Sequence, residues 1–443
     1  MTAHLARSRV TKAFTDASLV GSFAAAEARL DAVFPTIAIG AQASLSRAGQ
    51  TAALTSLVTA HKCFGRVRLA GERLDVPLHQ PLLDGGTLEE AAHALGADVA
   101  DSIGDTTTHL IRIDYTPAWR GWQVATWWDR WLAGVRLGPM ASGCAGLPLS
   151  GMFAGALAVR QIFAHVRLGT PPREESISLW EPHRQAAPER RGPRHCTMPN
   201  RLWLVGLGHL GQAFVWGLLS LPLVGERYAV LQDDQWIGVE NATTSMLVRA
   251  GDIGQRKVRL VARWLDHAGW TSELIERRHH GDIRRTAQDP PILLSGLDDL
   301  RPRRALAAHG FDYMVDAGIG RGARDFEALQ IRTIPAGTPV APLWLETGEE
   351  SIRDRLLGKE AYVSLKREVG ACGVVPLADA SVSVPFVGAA TAALALAQLA
   401  RLGIMDPAAA LLQLELDAPS LVIDGGSTKS PENFIGGETF SLE

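Results

Sequence analysis

Cysteine is scarce in this chain of 443 residues, and the four that it has are widely spaced. Cys63, Cys144, Cys196 and Cys372 include no Cys-x-x-Cys pair, so we expect no structural zinc site. A few scattered cysteines are more typical of a reducing compartment than of a disulfide framework. The sequence therefore favours a cytoplasmic protein.

Strong net charge and a secretory signal are also missing. The formal net charge is -3, and the arginines are scattered, which gives no electrostatic footprint for nucleic acid. No apolar core of signal-peptide length follows the polar N-terminus. Two Ala/Gly-rich segments approach the length of a membrane span, but each begins with proline and contains Arg160 or Gln398. We therefore predict interior helices, with no membrane and no nucleic acid as partner.

A glycine-rich turn follows a strand-like apolar run that begins at Arg201. Gly206, Gly208 and Gly211 have the G-x-G-x-x-G spacing, which permits a sharp turn, close approach to phosphate and tight helix packing. A second apolar run ends at Asp233, where an acid can accept hydrogen bonds from ribose hydroxyls. This pattern predicts a bound nucleotide. A Rossmann-like unit whose loop is only a tight turn is the alternative.

The residues after this acid argue against a dehydrogenase. Asn241 is followed by Lys257 in a Gly-Gln-Arg-Lys sequence, and a later apolar run ends in Ser-Gly-Leu-Asp298. Hydride transfer needs neither this lysine nor this acid. Attack on the α-phosphate of ATP needs a cation to neutralise phosphate charge and an acid to hold Mg²⁺. An NAD-dependent oxidoreductase is therefore the least favoured hypothesis.

The arrangement resembles the E1-like adenylyltransferase family, which includes ThiF, MoeB and the activating enzymes of ubiquitin-like proteins. The resemblance covers Arg201 to Leu402. It implies ATP and Mg²⁺ as cofactors and adenylation of a ubiquitin-like protein, in a conjugation operon if the source is bacterial. The family's ATP-site residues fall on Gly206, Gly208, Gly211, Asp233, Asn241, Lys257 and Asp298, of which Lys257 would be catalytic and Asp298 would bind the metal.

Two positions depart from the family pattern. An arginine that contacts ATP phosphates usually lies three residues after the asparagine, and Thr244 occupies that position here. Arg249 is one candidate to replace it, as are Arg7 and Arg9, because some E1 enzymes supply an arginine from the opposing half. Gln235 replaces the second acid of the usual Asp-x-Asp. These departures leave open a nucleotide-binding scaffold with impaired catalysis.

Cys372 lies among small residues in the crossover region, where E1 relatives that form a thioester often place the nucleophile. The resemblance implies that this thiol takes the acyl group from the adenylate and passes it to an E2-like partner. A buried cysteine that acts as a small hydrophobic residue is the alternative. In that case the enzyme would stop at the adenylate, as ThiF, MoeB and peptide-modifying relatives do.

The N-terminal half looks like a degenerate copy of the C-terminal half. Both halves close with a strand-like start, a small-residue helix and Arg-Leu-Gly, but the first copy lacks the glycine loop and the acids. We predict an α/β chain with two Rossmann-like ThiF-type folds, one inactive and one active, packed as a pseudo-dimer. An unrelated α/β domain is the alternative, and a further homodimer stays open. The predicted parts are an inactive domain (1–170), a linker (171–198), an active domain with the crossover segment (199–424) and a flexible tail (425–443).

Overall fold

Two β-sheets, one in each half of the chain, organise the protein. The computed structural model describes residues 7–138, 146–282, 285–340, 342–344, 352–433 and 435–442, and of residues 352, 369 and 371–373 it describes the backbone alone. Within these ranges the first sheet has seven strands and the second has eight. A separate pair of short strands joins the region between the halves to the C-terminus.

The N-terminal half forms a sheet in the order β3-β2-β1-β4-β5-β6-β7. The first five strands are parallel to one another, and β6 and β7 extend the sheet in antiparallel fashion. Its elements are α1 (Ser8–Thr15), α2 (Phe23–Asp31), β1 (Pro35–Ile39), α3 (Ala41–Leu45), α4 (Arg47–Phe64), β2 (Arg68–Gly71), α5 (Leu88–Ala94), β3 (Asp98–Ala100), β4 (His109–Ile113), β5 (Trp122–Asp129), β6 (Leu132–Arg136), α6 (Pro148–Leu168) and β7 (Glu175–Ser178).

The C-terminal half forms a sheet in the order β11-β10-β9-β12-β13-β14-β15-β16. Its first five strands are parallel, and the last three are antiparallel. Its elements, preceded by β8 (His195–Met198), are β9 (Arg201–Val205), α7 (His209–Ser220), β10 (Tyr228–Gln232), α8 (Asn241–Thr244), α9 (Lys257–His267), β11 (Thr271–Ile275), β12 (Ile292–Ser295), α10 (Leu300–Ala307), β13 (Tyr313–Ile319), β14 (Ala328–Pro335), α11 (Ile352–Leu357), α12 (Glu360–Asp379), α13 (Pro385–Gly403), β15 (Leu411–Glu415), β16 (Val422–Asp424) and β17 (Glu438–Ser441).

The two halves share one plan. The parallel order 3-2-1-4-5 of the first sheet recurs as 11-10-9-12-13 in the second, and each sheet then continues with antiparallel strands. In both sheets the strand order reverses beside the first strand of the half, which is the switch point where ligands bind in open α/β folds. The prediction of two Rossmann-like α/β folds in one chain is therefore confirmed.

Long helices of small residues hold the halves together. Helix α13 of the C-terminal half packs against α6 of the N-terminal half and against α7 of its own half. In the described part of the chain, α6 and α13 are the two helices long and apolar enough to cross a membrane. The most apolar stretch of α6 is 89% buried and that of α13 is 94% buried, as expected of interior helices.

The predicted linker and tail both contain regular structure. Residues 171–198 include β7, which completes the first sheet, and β8, which pairs with β17 of the C-terminal tail. The Glu438 carboxylate also accepts a hydrogen bond from the backbone N–H of Gly225 at 2.9 Å. The exact domain boundaries stay a prediction, but part of the tail is fixed against the body of the C-terminal half.

Tight packing of α6 on α4 gives a test of the N-terminal core. A Cβ atom at Gly151 would lie 2.3 Å from the backbone oxygen of Ala48, which cannot move without displacing α4. We expect Gly151→Ala to lower the free energy of unfolding by about 1–3 kcal/mol, because this overlap outweighs alanine's better helix propensity. Chemical denaturation measures the change.

Gly251→Ala is the matched control, because no atom lies within 4 Å of a Cβ built at Gly251. We expect its free energy of unfolding to stay within about 0.5 kcal/mol of the parent protein. Equal stability of the Gly151→Ala variant and the parent would contradict the close approach of α6 to α4.

Candidate functional site

The glycine turn lies between β9 and α7, at the carboxyl ends of the parallel strands. Gly206 has φ +80°, a left-handed conformation that favours glycine, and its N–H donates to the backbone oxygen of Gln232 at 3.1 Å. A Cβ at Gly211 would lie 2.1 Å from the Gly206 oxygen, so only glycine lets α7 begin this close to the turn. Gly208 is the residue that precedes α7. The helix N-terminus is therefore open toward the turn, as in an anion site.

Asp233 joins the end of β10 to the glycine turn. Its carboxylate accepts hydrogen bonds from the backbone N–H groups of Leu207 and Gln235, each at 2.7 Å. Burial raises the pKa of Asp233, while the charge of Lys257 and these two donors oppose the rise. The aspartate predicted to bind ribose thus lies beside the turn, and its carboxylate is held in a fixed orientation.

Lys257 is the first residue of α9, and its side chain crosses to the glycine turn. A Cβ at Gly208 would lie 3.8 Å from the Lys257 ammonium nitrogen, which places the charge over the turn. Burial lowers the pKa of Lys257, and the carboxylates of Asp233, Glu240 and Asp298 oppose this. The charges of both predicted acids therefore act on the predicted phosphate-binding lysine.

Gln235 has a role that the sequence does not predict. Its side-chain oxygen accepts a hydrogen bond from the Lys257 ammonium group at 2.6 Å, and its backbone oxygen accepts from the Lys257 N–H at 3.0 Å. A neutral amide in place of an acid holds this cation without neutralising it. The departure from the family's Asp-x-Asp therefore leaves the charge of Lys257 available for an anion.

Asn241 opens the short helix α8 on the far side of the site. Its side-chain oxygen accepts from the Gly238 N–H at 2.9 Å. The Thr244 hydroxyl is buried and donates to the backbone oxygen of Glu240 at 3.0 Å, so it does not replace the family's arginine. Glu240, whose charge acts on Lys257, was not predicted from the sequence, although it lies beside a motif residue.

Asp298 and Asp299, which follow β12, have different roles. The Asp299 carboxylate accepts from the Arg301 N–H at 3.0 Å and caps α10. The Asp298 side chain is exposed and makes no hydrogen bond or ion pair with the described residues. Its oxygens are suited to Mg²⁺, which usually takes one or two carboxylates and completes its shell with phosphates and water. In the described ranges no group of three or more His, Cys, Asp or Glu could hold a metal.

The three arginines proposed to replace Thr244 lie in different places. Arg7 pairs with Glu27 and Asp31 of its own half. Arg249 donates to the Met246 backbone oxygen at 3.2 Å, and burial lowers the pKa of Arg249 to about 10.

Arg9, like Arg7, belongs to the N-terminal half, but its charge acts on Lys257 of the other half. Its backbone oxygen accepts from the Ser383 N–H at 3.3 Å, just before α13. Burial is the main cause of the lowered pKa of Lys257, and the charge of Arg9 lowers it further. Among the three candidates, Arg9 is therefore the arginine whose charge acts on the predicted phosphate-binding lysine.

The equivalent turn of the N-terminal half has the chain after β4 packed against it. A Cβ at Gly40, after β1, would lie 1.9 Å from the backbone oxygen of Asp114. Asp114 itself has φ +52°, so the chain turns sharply over the end of β1. The backbone of Asp114 therefore lies so close to Gly40 that a side chain at this position would overlap it.

The cysteines fall into two groups. Cys63 and Cys196 are buried, and burial raises the pKa of the Cys63 thiol strongly and the pKa of the Cys196 thiol to about 12. Both are poor nucleophiles at neutral pH. The backbone of Cys372 belongs to α12, just after a kink at Gly370 with φ +75°, but its side chain lies outside the described residues, and so does all of Cys144.

Comparisons with known proteins identify the family of the chain. Family models described as the BilD N-terminal domain and the BilD C-terminal domain match residues 36–174 and 198–404. The bacterial E1-like protein BilD of Collimonas sp. (strain OK412) is 34% identical over 415 residues, which cover 90% of this chain and 88% of that protein. Fold and site together define an E1-like adenylyltransferase. Within that class, the chain belongs to the BilD family, so the predicted resemblance is confirmed.

Solved structures with a similar fold include those of Escherichia coli MccB. MccB with AMPCPP and MccA has 14% identity and a TM-score of 0.36, over 53% of this chain and 65% of that chain. MccB with MccA alone has 14% identity and a TM-score of 0.37, over 63% of this chain and 73% of that chain. MccB with ATP has a TM-score of 0.36 at the same identity, over 54% and 66% of the two chains.

The position of Arg9 leads to a test of the contribution from the opposing half. We expect Arg9→Ala to lower the rate of ATP–pyrophosphate exchange by about 100-fold, as loss of one charge-stabilising donor does. Arg7→Ala is the matched control, since Arg7 is already paired with Glu27 and Asp31, and its rate should stay unchanged. Equal losses in the two variants would show instead that α1 matters only for folding.

Proposed function

We propose that the protein uses ATP and Mg²⁺ to adenylate the C-terminal carboxylate of a ubiquitin-like protein and then forms a thioester at Cys372. An E2-like partner would receive the acyl group, in the cytoplasm. The observation that best supports the proposal is the position of the Lys257 ammonium group and the Asp233 carboxylate at the glycine turn before α7, with the charge of Asp298 acting on Lys257. The pseudo-dimer is our interpretation of the two halves that meet at α6 and α13.

In the first step a carboxylate oxygen attacks the α-phosphorus of ATP. The bond from that phosphorus to the bridging oxygen breaks, and pyrophosphate leaves with the electron pair. Lys257, the α7 N-terminus and Arg9 stabilise the phosphate charge, while Asp233 holds the ribose and Asn241 orients the phosphates. Magnesium, held by Asp298, would neutralise further phosphate charge.

In the second step the thiolate of Cys372 attacks the acyl carbon of the adenylate. A carbon–sulfur bond forms, the bond from the acyl carbon to the phosphate oxygen breaks, and AMP leaves; the thiol proton passes to solvent. Burial and raised thiol pKa values disfavour Cys63 and Cys196 as nucleophiles, which leaves Cys144 and Cys372 as candidates. Without this step the protein would be an adenylyltransferase of the ThiF or MoeB kind.

The adenylation step is tested by ATP–pyrophosphate exchange with candidate ubiquitin-like proteins. We expect exchange that depends on the partner, and a loss of about 100-fold or more in Lys257→Ala, because the ammonium group of this lysine lies over the glycine turn where the phosphates would bind. Lys429→Ala, which removes an exposed lysine of the tail, is the matched control and should keep full activity.

Bound ATP without any exchange would overturn the adenylation proposal and favour a nucleotide-binding scaffold. Equilibrium binding of ATP to the parent protein and to Lys257→Ala separates this outcome from a failure to bind nucleotide. Unfolding curves show whether the variant is folded.

The thioester step is tested with Cys372→Ala. We expect full pyrophosphate exchange but no thiol-sensitive conjugate with the ubiquitin-like protein on a non-reducing gel, because the adenylate forms without the thiol. Cys144→Ala is the comparison variant and should still form the conjugate. A conjugate that persists in Cys372→Ala and is lost in Cys144→Ala would identify Cys144 as the nucleophile instead. If the parent protein forms no conjugate, the enzyme stops at the adenylate.

A further inference from the structure

Lys62, near the end of α4 in the N-terminal half, reaches into the C-terminal half. Its ammonium group is buried and donates to the backbone oxygen of Ala242 at 2.6 Å and to that of Val248 at 2.9 Å. Within the described ranges it forms no ion pair with a carboxylate. A buried amine costs free energy unless its donors are satisfied, so these two carbonyls account for its position.

The two carbonyls lie at the two ends of the segment 242–248, which follows Asn241 of the candidate ATP site. Ala242 directly follows Asn241, and the chain turns through Thr244 before it reaches Val248. On the other side of this turn, the Gln212 side-chain oxygen accepts from the Leu247 N–H at 3.1 Å. Gln212 belongs to α7, the helix that begins at the glycine turn. The segment is therefore held between a helix of the active half and a lysine of the other half.

We propose that Lys62 is a positioning residue for adenylation: the degenerate half holds the segment 242–248, and through it Asn241, in the orientation that ATP requires. The inference rests on the proposed function of the ATP site. Lys62 touches neither nucleotide nor the reacting carboxylate. Its effect passes through the backbone next to Asn241, where a displacement of about 1 Å can cost about 100-fold in rate.

The direct test replaces the amine by an apolar group of similar length. We expect Lys62→Met to lower the rate of partner-dependent pyrophosphate exchange by about 10- to 100-fold, because both carbonyls lose their donor and the turn shifts. Thr55→Val is the matched control, since it removes another contact between the halves, the hydrogen bond from Trp216 Nε1 to the Thr55 hydroxyl at 3.0 Å. Its exchange rate per folded molecule should equal that of the parent.

A double-mutant cycle separates positioning from general stability. If Lys62 acts through Asn241, Lys62→Met should lower the rate little further in an Asn241→Ala background, so that the two effects are not multiplicative. If Lys62 has only a structural role, the losses in rate from Lys62→Met and Asn241→Ala should multiply in the double variant. Alternatively, Lys62→Met should lose as much stability as Thr55→Val while its exchange rate stays unchanged. Either of these results would overturn the proposal.

Hydrogen exchange of the backbone amides tests the same contact without catalysis. We expect Lys62→Met to lower the protection of amides in residues 242–248, with no comparable loss in Thr55→Val. Unchanged protection in this segment would overturn the inference even if the rate fell. If the parent protein shows no pyrophosphate exchange, the proposed function fails, and the amide measurement still decides whether Lys62 holds this turn.

Discussion

The close packing of α13 against α6 is the constraint on which the rest of the molecule depends. Both helices are rich in Ala and Gly, so their backbones approach closely, and both are almost fully buried. Apolar burial of this kind is the main favourable contribution to folding and to association of domains. Because it fixes the two halves relative to each other, side chains of one half can complete a site in the other.

Charge at the candidate site depends on this packing. Lys257 is buried, which lowers its pKa, and the carboxylates of Asp233, Glu240 and Asp298 oppose this shift. Arg9, which comes from the opposing half, adds positive charge to the same space. The site is thus balanced by acids before a nucleotide binds, and a polyphosphate could be held by two cations that belong to different halves.

The sequence predicts most of the ATP site because the relevant patterns are local. A glycine turn after a strand and an acid at the end of the next strand fix Gly206 and Asp233 in neighbouring positions of any parallel sheet. Contacts between the halves leave no such pattern. Lys62 and Ala242 are 180 positions apart, and neither has a neighbour that indicates the other. The pairing of β17 with β8 was missed because the tail is rich in Gly and Ser.

The N-terminal half differs from the C-terminal half at its own turn, and it contributes residues to the site of the other half. At its own turn the backbone of Asp114 lies close to Gly40, and the half lacks the G-x-G-x-x-G spacing of the other half. Arg9 and Lys62 nevertheless lie at the site of the other half, one as a charge and one as a donor to the backbone. When two such halves share one chain, one nucleotide site is sufficient, but that site still needs the contacts that the other half supplies. A half without the glycine turn and its acids can therefore still take a direct part in the adenylation that we propose.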